Sequence, residues 1–557
     1  MNSALDRDMG RVKLAPEQDW SLCRKVRMQD GTLSGIKDHA KVGVRALIAN
    51  PYFALFDEMG AMKTAQTIVA AQFLYLQGVI DSVVVICPAS VKTVWFDPEL
   101  GELAAQQFRN VTFWVAEFHT KIRSWDTGGD GSHGNGPNHL HWLITNYEFL
   151  GRRANFGKRR HPTGHLRTLI ECCTEKTLLV LDESSAIKSA GAAQSKACAA
   201  VRKHCGRVVL LNGTPIANNP LDLLNQGNIM SPDILNMRYV TQFRNRYCEM
   251  RPYVPFPQVM GWKNLEDLQT RFAPYVLRRL KEDCLDLPSK LRPVMIPVPL
   301  TTKTWKKYQE MRDELVVWFS ENHASIASIG ITKVMRLSQL TSGFISGVSE
   351  VFGSEQPDIP EFMRGEDWAK GSFEDKPIQT TQEIGTEKQD AVIAFLKKHL
   401  ARDPEFKLLI WCRFQKEVYR VAEAIENMFP TVTVSTMTGG QKKADRERAL
   451  RLLHPAKITS NPAVLCATMG TGSMGHNFTG ASVAVNMSCD YSLVKYKQGS
   501  DRIHRPGQTR SVSYFDMVAT GPKGERTIDH VILKARQDKD DIATWTADAW
   551  VHYLTEE

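Results

Sequence analysis

The sequence predicts an α/β protein made of two parallel-sheet lobes with helical insertions between them. Three observations carry this. Short apolar runs alternate with helical stretches, which is how strands buried on both faces read. The pattern occurs twice, on either side of a different middle region. The chain has 557 residues, too many for a single core.

In the first half the expected strands are 53–56, 83–87, 142–145, 178–181 and 208–211. In the second half they are 408–412, 432–435, 464–467, 483–486 and 512–518. The middle region, 281–385, reads as long amphipathic helices at 300–322 and 331–341, then an irregular stretch at 347–385 rich in acidic residues, Gly and Pro. A second irregular insert is the Gly-rich run 127–137. The expected division is therefore an extension (1–35), a first lobe (36–280), the insertion and linker (281–385), a second lobe (386–541) and a tail (542–557).

Composition narrows the class. A net charge of +9 permits a polyanionic partner without requiring one. Eleven cysteines are scattered without CxxC spacing, which fits buried thiols in a reducing compartment. No apolar run reaches membrane-spanning length, and the first twenty residues lack the apolar core of a signal peptide. A cytoplasmic protein is expected. His133, His139 and His141 have no acidic or Cys partner at useful spacing and read as plain loop histidines rather than a metal site. Trp305, Tyr308 and Trp318 read as helix packing.

Three strand ends carry the chemistry. The first runs Phe53-Ala54-Leu55-Phe56-Asp57-Glu58-Met59-Gly60-Ala61-Met62-Lys63-Thr64, a strand–turn–helix that suits a phosphate loop. Glu58 to Met62 would cradle phosphates with backbone N–H groups, Lys63 would reach the β/γ-phosphates, and Thr64 would ligate Mg²⁺. Asp57 and Met62 stand where the pattern GxxxxGK[ST] has glycine, so a generic turn with a surface lysine is the alternative. The second end is Leu178-Leu179-Val180-Leu181-Asp182-Glu183-Ser184-Ser185, a buried strand with two carboxylates where ligands bind in open parallel sheets. Asp182 would hold the Mg²⁺ shell and Glu183 would polarise the attacking water. The third is Leu211-Asn212-Gly213-Thr214-Pro215-Ile216.

Near the C-terminus lies Gln498-Gly499-Ser500-Asp501-Arg502-Ile503-His504-Arg505-Pro506-Gly507-Gln508. The preceding residues read as a helix from about Tyr491 to Pro506, which puts Gln498, Arg502 and Arg505 on one face. Two permanent cations there suit a nucleotide γ-phosphate; a solvated basic face is the alternative.

In this order the motifs resemble those of the superfamily-2 helicase-like ATPases, specifically the Swi/Snf-like branch. Cys87-Pro88-Ala89-Ser90 with Trp95 resembles motif Ia, and Thr145-Asn146-Tyr147-Glu148 the next stretch. Residues 272–291 are similar to the segment closing the first lobe, and 408–412 to motif IV. Ala467-Thr468-Met469-Gly470-Thr471-Gly472-Ser473-Met474-Gly475-His476-Asn477-Phe478 resembles motif V, one residue longer than usual. The resemblance covers about 36–533.

It implies two RecA-like lobes that close on ATP and Mg²⁺. Lys63, Thr64, Asp182 and Glu183 match the first-lobe catalytic positions, and Arg502 and Arg505 the arginines offered to the γ-phosphate. Gln498 and Gly475 match the second-lobe face of the nucleotide cleft. Ser90, Thr145, Thr214, Thr468 and Asn477 match nucleic-acid contacts, with Gly213 and Thr214 coupling ATP state to DNA. Two positions depart from the pattern: Met62 replaces a glycine, and Ala40 stands where a glutamine reads adenine.

The basic run Arg152, Arg153, Lys158, Arg159, Arg160 follows a strand end and is a candidate backbone grip on DNA, with a solvated loop as its alternative. Arg278 and Arg279 read as inter-lobe or first-lobe packing residues. The expected activity is a translocase on double-stranded DNA, working as a monomer and remodelling protein–DNA complexes or DNA branches, in a compact bacterial or phage protein. The alternatives are a strand-separating DNA or RNA helicase, and a nucleic-acid-binding scaffold with a weakened ATPase.

Overall fold

The computed structural model describes residues 12–23, 26–27, 33–89, 91–96, 101–118, 139–153, 155–156, 162–213, 215–216, 220–250, 259–321, 327–345, 382–454, 459, 461–472 and 477–537. The Gly-rich insert, the tail and most of the irregular stretch at 347–385 lie outside these. The described residues form two compact units, one ending at Asp286 and the other starting at Leu287.

The first unit is built on a seven-stranded, all-parallel sheet. Its strands are β1 (Tyr52–Leu55), β2 (Ser82–Cys87), β3 (Thr112–Glu117), β4 (His139–Asn146), β5 (Thr177–Asp182), β6 (Arg207–Leu211) and β7 (Val276–Leu277). Their order is β7-β1-β6-β5-β2-β4-β3. Every residue of β2 and β5 is buried, so apolar runs rather than alternation mark them. Register positions the chemistry: Leu211 pairs with Leu55 on one side and with Asp182 on the other. The loops leaving β1, β5 and β6 therefore emerge at one carboxyl edge. Helices α1 (Asp38–Ala49), α2 (Lys63–Leu76), α3 (Lys92–Phe96), α4 (Tyr147–Arg153) and α5 (Asp222–Met230) surround the sheet.

The second unit has a six-stranded parallel sheet of β8 (Val294–Pro299), β9 (Lys407–Cys412), β10 (Thr433–Met437), β11 (Ala463–Thr468), β12 (Val483–Asn486) and β13 (Ser513–Thr520). The order is β8-β13-β12-β9-β11-β10. Helices α6 (Thr302–Glu321) and α7 (Ala327–Thr341) stand where amphipathic helices were expected. Trp305 and Tyr308 stack at 5.3 Å in α6, which is packing; the side chain of Trp318 is outside the described residues.

All ten expected strands are present. Within the two parallel sheets the three extra ones, β3, β7 and β8, share a cause. Each lies at a sheet edge, where one side lacks a neighbour and the apolar signature weakens. β8 also carries Pro297 and Pro299, which an edge strand tolerates because part of its N–H row needs no partner. That strand falls inside the stretch expected to be a helical insertion. His139 and His141 lie on β4 rather than in a loop, and no metal-holding group of three His, Cys, Asp or Glu occurs among the described residues. No described helix is long and apolar enough to cross a membrane.

Candidate active site

In the first unit the chain leaves β1 through residues 56–62 and enters α2 at Lys63. The loop is pinned from β7 and beyond: Phe56 N–H donates to the Leu277 carbonyl (2.8 Å) and Glu58 N–H to that of Arg279 (2.9 Å). Gly60 and Met62 both take the left-handed conformation, φ 87° and 63°. This explains why a glycine suits position 62: an L side chain there costs about 1–2 kcal/mol. Met62→Gly is expected to stabilise the first unit by roughly 0.5–1 kcal/mol, since relief of strain exceeds the added backbone entropy. A urea titration reads this as a higher midpoint; a lower one would show that Met62 packing outweighs the strain.

Asp57, the other departure from glycine, has a structural task. It is fully buried and paired with Arg279, whose Nε donates to Oδ1 at 3.0 Å. Arg279 also donates to the His39 carbonyl and to Gln66 Oε1 (3.1 Å), while Gln66 Nε2 donates to the Ala61 carbonyl (2.7 Å). The negative charge is thus neutralised inside the lobe instead of facing an anion. Gly43 of α1 abuts this network, since a Cβ there would lie 1.7 Å from Gln66 Oε1. Burial, aided by Arg279, pushes the His39 imidazole down to about 4. The expectation that Arg279 packs within the lobe is met by this network. Arg278 donates to the Phe56 carbonyl (3.1 Å).

Lys63 extends back over the loop, donating to the carbonyls of Asp57 (2.7 Å) and Glu58 (3.1 Å). Its ammonium is pushed below its usual range by burial, against the pull of Glu183, Asp57, Asp182 and Glu58. The lysine of the first strand end therefore feels the carboxylates of the second. Those carboxylates are held in different ways. Asp182, 8% exposed, accepts from Glu183 N–H on Oδ1 and from Trp95 Nε1 on Oδ2, both at 2.9 Å. Burial raises its carboxyl, and Trp95, Lys63 and the Glu183 N–H oppose that rise. Glu183 has φ 50°, a left-handed residue that redirects the chain at the strand end.

The third strand end touches both others. A Cβ on Gly213 would lie 2.4 Å from Met59 Cγ, so the phosphate loop can approach only a glycine. Ser184 Oγ donates to Gln226 Oε1 of α5 (2.7 Å), and Gln226 Nε2 donates to the Pro215 carbonyl (2.9 Å). Two hard oxygen donors, the Thr64 hydroxyl and the Asp182 carboxylate, suit Mg²⁺. That ion takes one or two protein ligands and completes its shell with phosphate and water.

In the second unit the arginine-bearing string is not one helix. Helix α8 spans Leu493–Ser500, and residues 501–507 are turns. The helix ends early because its carbonyls are taken elsewhere: Tyr514 OH donates to the Ser500 carbonyl (2.7 Å), and Phe478 N–H to that of Arg502 (3.0 Å). Residues 501–504 are consecutively buried, which one face of a helix cannot achieve. Arg502 is 3% exposed, its Nε donating to the Gln498 carbonyl (3.0 Å); Arg505 Nε donates to that of Asp501 (3.1 Å). Gln508 Nε2 donates to the carbonyls of Thr479, Ala481 and Ile503, at 3.2, 2.9 and 2.8 Å. His504 Nε2 donates to the Pro288 carbonyl (2.8 Å), and Lys290 pairs with Asp501 (3.4 Å). Arg502 and Arg505 are thus held against the end of the helix that carries Gln498 by a stapled turn instead of by helical periodicity.

The candidate nucleic-acid residues divide differently. Thr145 and Thr468 are 0% and 1% exposed, and Thr145 Oγ1 donates to the Phe118 carbonyl (3.4 Å). Neither hydroxyl faces solvent. Asn477 Oδ1 accepts from Thr479 N–H (3.1 Å), shaping the turn after motif V. Arg152 and Arg153 end α4, and their side chains are outside the described residues. Ser90, Lys158, Arg159, Arg160, Thr214 and Gly475 also lie outside them. Sequence reading placed Trp95, Tyr147 and Gln508 inside motifs without giving them a supporting role, and missed Gln66, Gln226 and Tyr514. The bonds of Trp95, Tyr147 and Gln226 to the second strand end cross 87, 35 and 42 positions, which no local pattern reveals.

Comparison with known proteins adds the following. Residues 51–343 match the family model described as SNF2-related domain, and 388–507 that of the helicase conserved C-terminal domain. The chain is similar to the TATA-binding protein-associated factor MOT1 of Saccharomyces cerevisiae, 24% identical over 67% of the chain and 20% of that protein. It is similar to an uncharacterized ATP-dependent helicase of Mycoplasma pneumoniae, 23% identical over 92% of the chain and 42% of that protein. A third relative is the SWI/SNF-related matrix-associated actin-dependent regulator of chromatin subfamily A-like protein 1 of Xenopus laevis, 22% identical over 84% of the chain and 40% of that protein. The chain thus spans less than half the length of these relatives. Among solved structures, a Sulfolobus solfataricus SWI2/SNF2 ATPase core in complex with dsDNA is 20% identical, with 96% of the chain and 97% of that chain covered and a TM-score of 0.37.

Proposed function

The chain belongs to the SNF2-related family, and from that premise we propose that it is an ATP hydrolase that translocates along double-stranded DNA. The observation that carries the hydrolase reading is the placement of Lys63 at the start of α2, on the carboxyl sheet edge where β5 ends in Asp182. A phosphate-binding cation, a carboxylate suited to a hard metal and a carboxylate suited to water share one sheet edge.

In this reading Lys63 exchanges the Asp57 and Glu58 carbonyls for the β/γ-phosphates of ATP. Thr64 and Asp182 would hold Mg²⁺, which when bound would supply neutralisation of charge on the phosphoryl oxygens. Glu183 orients the attacking water and takes its proton. Arg502 and Arg505 serve the γ-phosphate, and Gln498 and Gly475 are proposed to bind the same nucleotide. The DNA reading rests on family membership and on the net charge of +9. Contacts are proposed for Ser90, Thr214, Asn477 and the cations at 152, 153 and 158–160. Thr145 and Thr468, buried as they are, act instead as supports for the strand ends that carry such contacts.

ATP hydrolysis should be measured without nucleic acid and with duplex DNA, single-stranded DNA or RNA. Duplex DNA is expected to stimulate most. Stimulation by single strands or RNA together with displacement of a paired strand would favour a helicase. No hydrolysis under any condition would leave a nucleic-acid-binding scaffold.

A further inference from the structure

We infer that Trp95 is a positioning residue for the nucleotide-bound metal: its indole N–H fixes the Asp182 carboxylate in the orientation that receives Mg²⁺. The inference rests on the ATP-hydrolase reading and extends it to a residue that touches neither nucleotide nor DNA.

The two donors on Asp182 are of different origin. The Glu183 N–H on Oδ1 is backbone, available whatever the sequence. The Trp95 Nε1–H on Oδ2 is encoded, and it reaches across 87 positions from α3. One donor on each oxygen removes the rotation that a strand-end carboxylate otherwise has about its last bond. The main chain is held as well, because Tyr147 OH donates to the Asp182 carbonyl (2.9 Å). What remains of the carboxylate's accepting capacity then points in one fixed set of directions.

The indole has little freedom of its own. Trp95 is fully buried, and its ring lies 6.3 Å from that of Trp142. The entry to α3 is anchored too: the Ala89 N–H donates to Glu148 Oε2 (3.1 Å), which also accepts from Asn146 Nδ2 (2.9 Å), and Lys92 pairs with Glu117. A buried aromatic that only filled space would not need its polar edge on the carboxylate. Trp142 supplies the contrast. It is equally buried and in ring contact with Trp95, yet its Nε1 has no hydrogen-bond partner among the described residues.

This pair makes the test. Trp95→Phe removes the N–H and keeps an aromatic ring, while Trp142→Phe removes similar volume and leaves the described Trp95–Asp182 contact in place. Binding of a non-hydrolysable ATP analogue to the full chain should be titrated calorimetrically in Mg²⁺ and in EDTA. The readout is the ratio of the two dissociation constants. Trp95→Phe is expected to shrink the Mg²⁺-dependent gain about tenfold, the effect of losing a hydrogen bond to a charged group, with affinity in EDTA nearly unchanged. Trp142→Phe should keep the wild-type ratio even if its melting temperature falls. An unchanged ratio in Trp95→Phe, or an equal loss in Trp142→Phe, overturns the inference and assigns Trp95 to packing. Wild-type protein that binds no nucleotide in either buffer would overturn the hydrolase reading, and this inference with it.

Discussion

Glu183→Gln is expected to slow ATP hydrolysis by roughly 10²–10⁴-fold, the range for losing a positioned general base, while ATP binding persists. Gln keeps the size and hydrogen-bonding reach of Glu but cannot take a proton from water. Glu183 also has a left-handed backbone, φ 50°, and Gln is strained there to the same degree, so the fold should not change. Lys63 loses one of the carboxylates that oppose its burial, yet Asp57, Glu58 and Asp182 remain. Steady-state phosphate release, with analogue affinity measured alongside, checks this. A variant that retains a tenth or more of wild-type turnover would remove Glu183 from the reaction.

The second large effect concerns the arginine turn. Arg502→Ala and Arg505→Ala are each expected to lower turnover by about 10³–10⁵-fold, as arginine fingers do in phosphoryl transfer. Arg502→Lys should not restore it, because an ammonium lacks the planar fork that spans two phosphate oxygens. Burial complicates Arg502, since its removal can also destabilise the turn. Arg505 is less buried and separates the two effects: its alanine variant should lose turnover with little change in melting temperature. Full turnover in Arg505→Ala at an unchanged melting temperature would confine the finger role to Arg502.

The strands, and the residue types at their ends, were legible for a physical reason. A strand buried on both faces must be apolar throughout, and a phosphate or metal site needs specific residue types within one loop. Both signals are local, so Leu178–Leu181 followed by Asp182 and Glu183 could be read directly. Edge strands were harder. The sequence of Val294–Pro299 resembles neither a buried strand nor a helix, and only pairing with Ser513–Thr520 makes it one.

The arginine string shows the opposite case. Spacing alone suggested one helical face for Gln498, Arg502 and Arg505. The helix stops at Ser500 because Tyr514 and Phe478 claim the carbonyls of Ser500 and Arg502. Periodicity cannot foresee a competitor from another strand. Asp57 and Met62 likewise looked like equivalent departures from glycine. Arg279, 222 positions away, makes Asp57 a buried counter-ion, while Met62 holds a left-handed conformation with a strain cost.

By itself, then, the sequence determined the fold class and which residue types stand at each strand end, because burial on two faces and phosphate chemistry both constrain neighbouring positions. The tertiary structure alone decided how those groups are aimed: Trp95 on Asp182, Arg279 on Asp57, Gln226 on Ser184 and Gln508 under the arginine turn. Orientation depends on a few hydrogen bonds, most of them between residues far apart in the chain. Such bonds need one donor at one distance, and they leave no periodic trace.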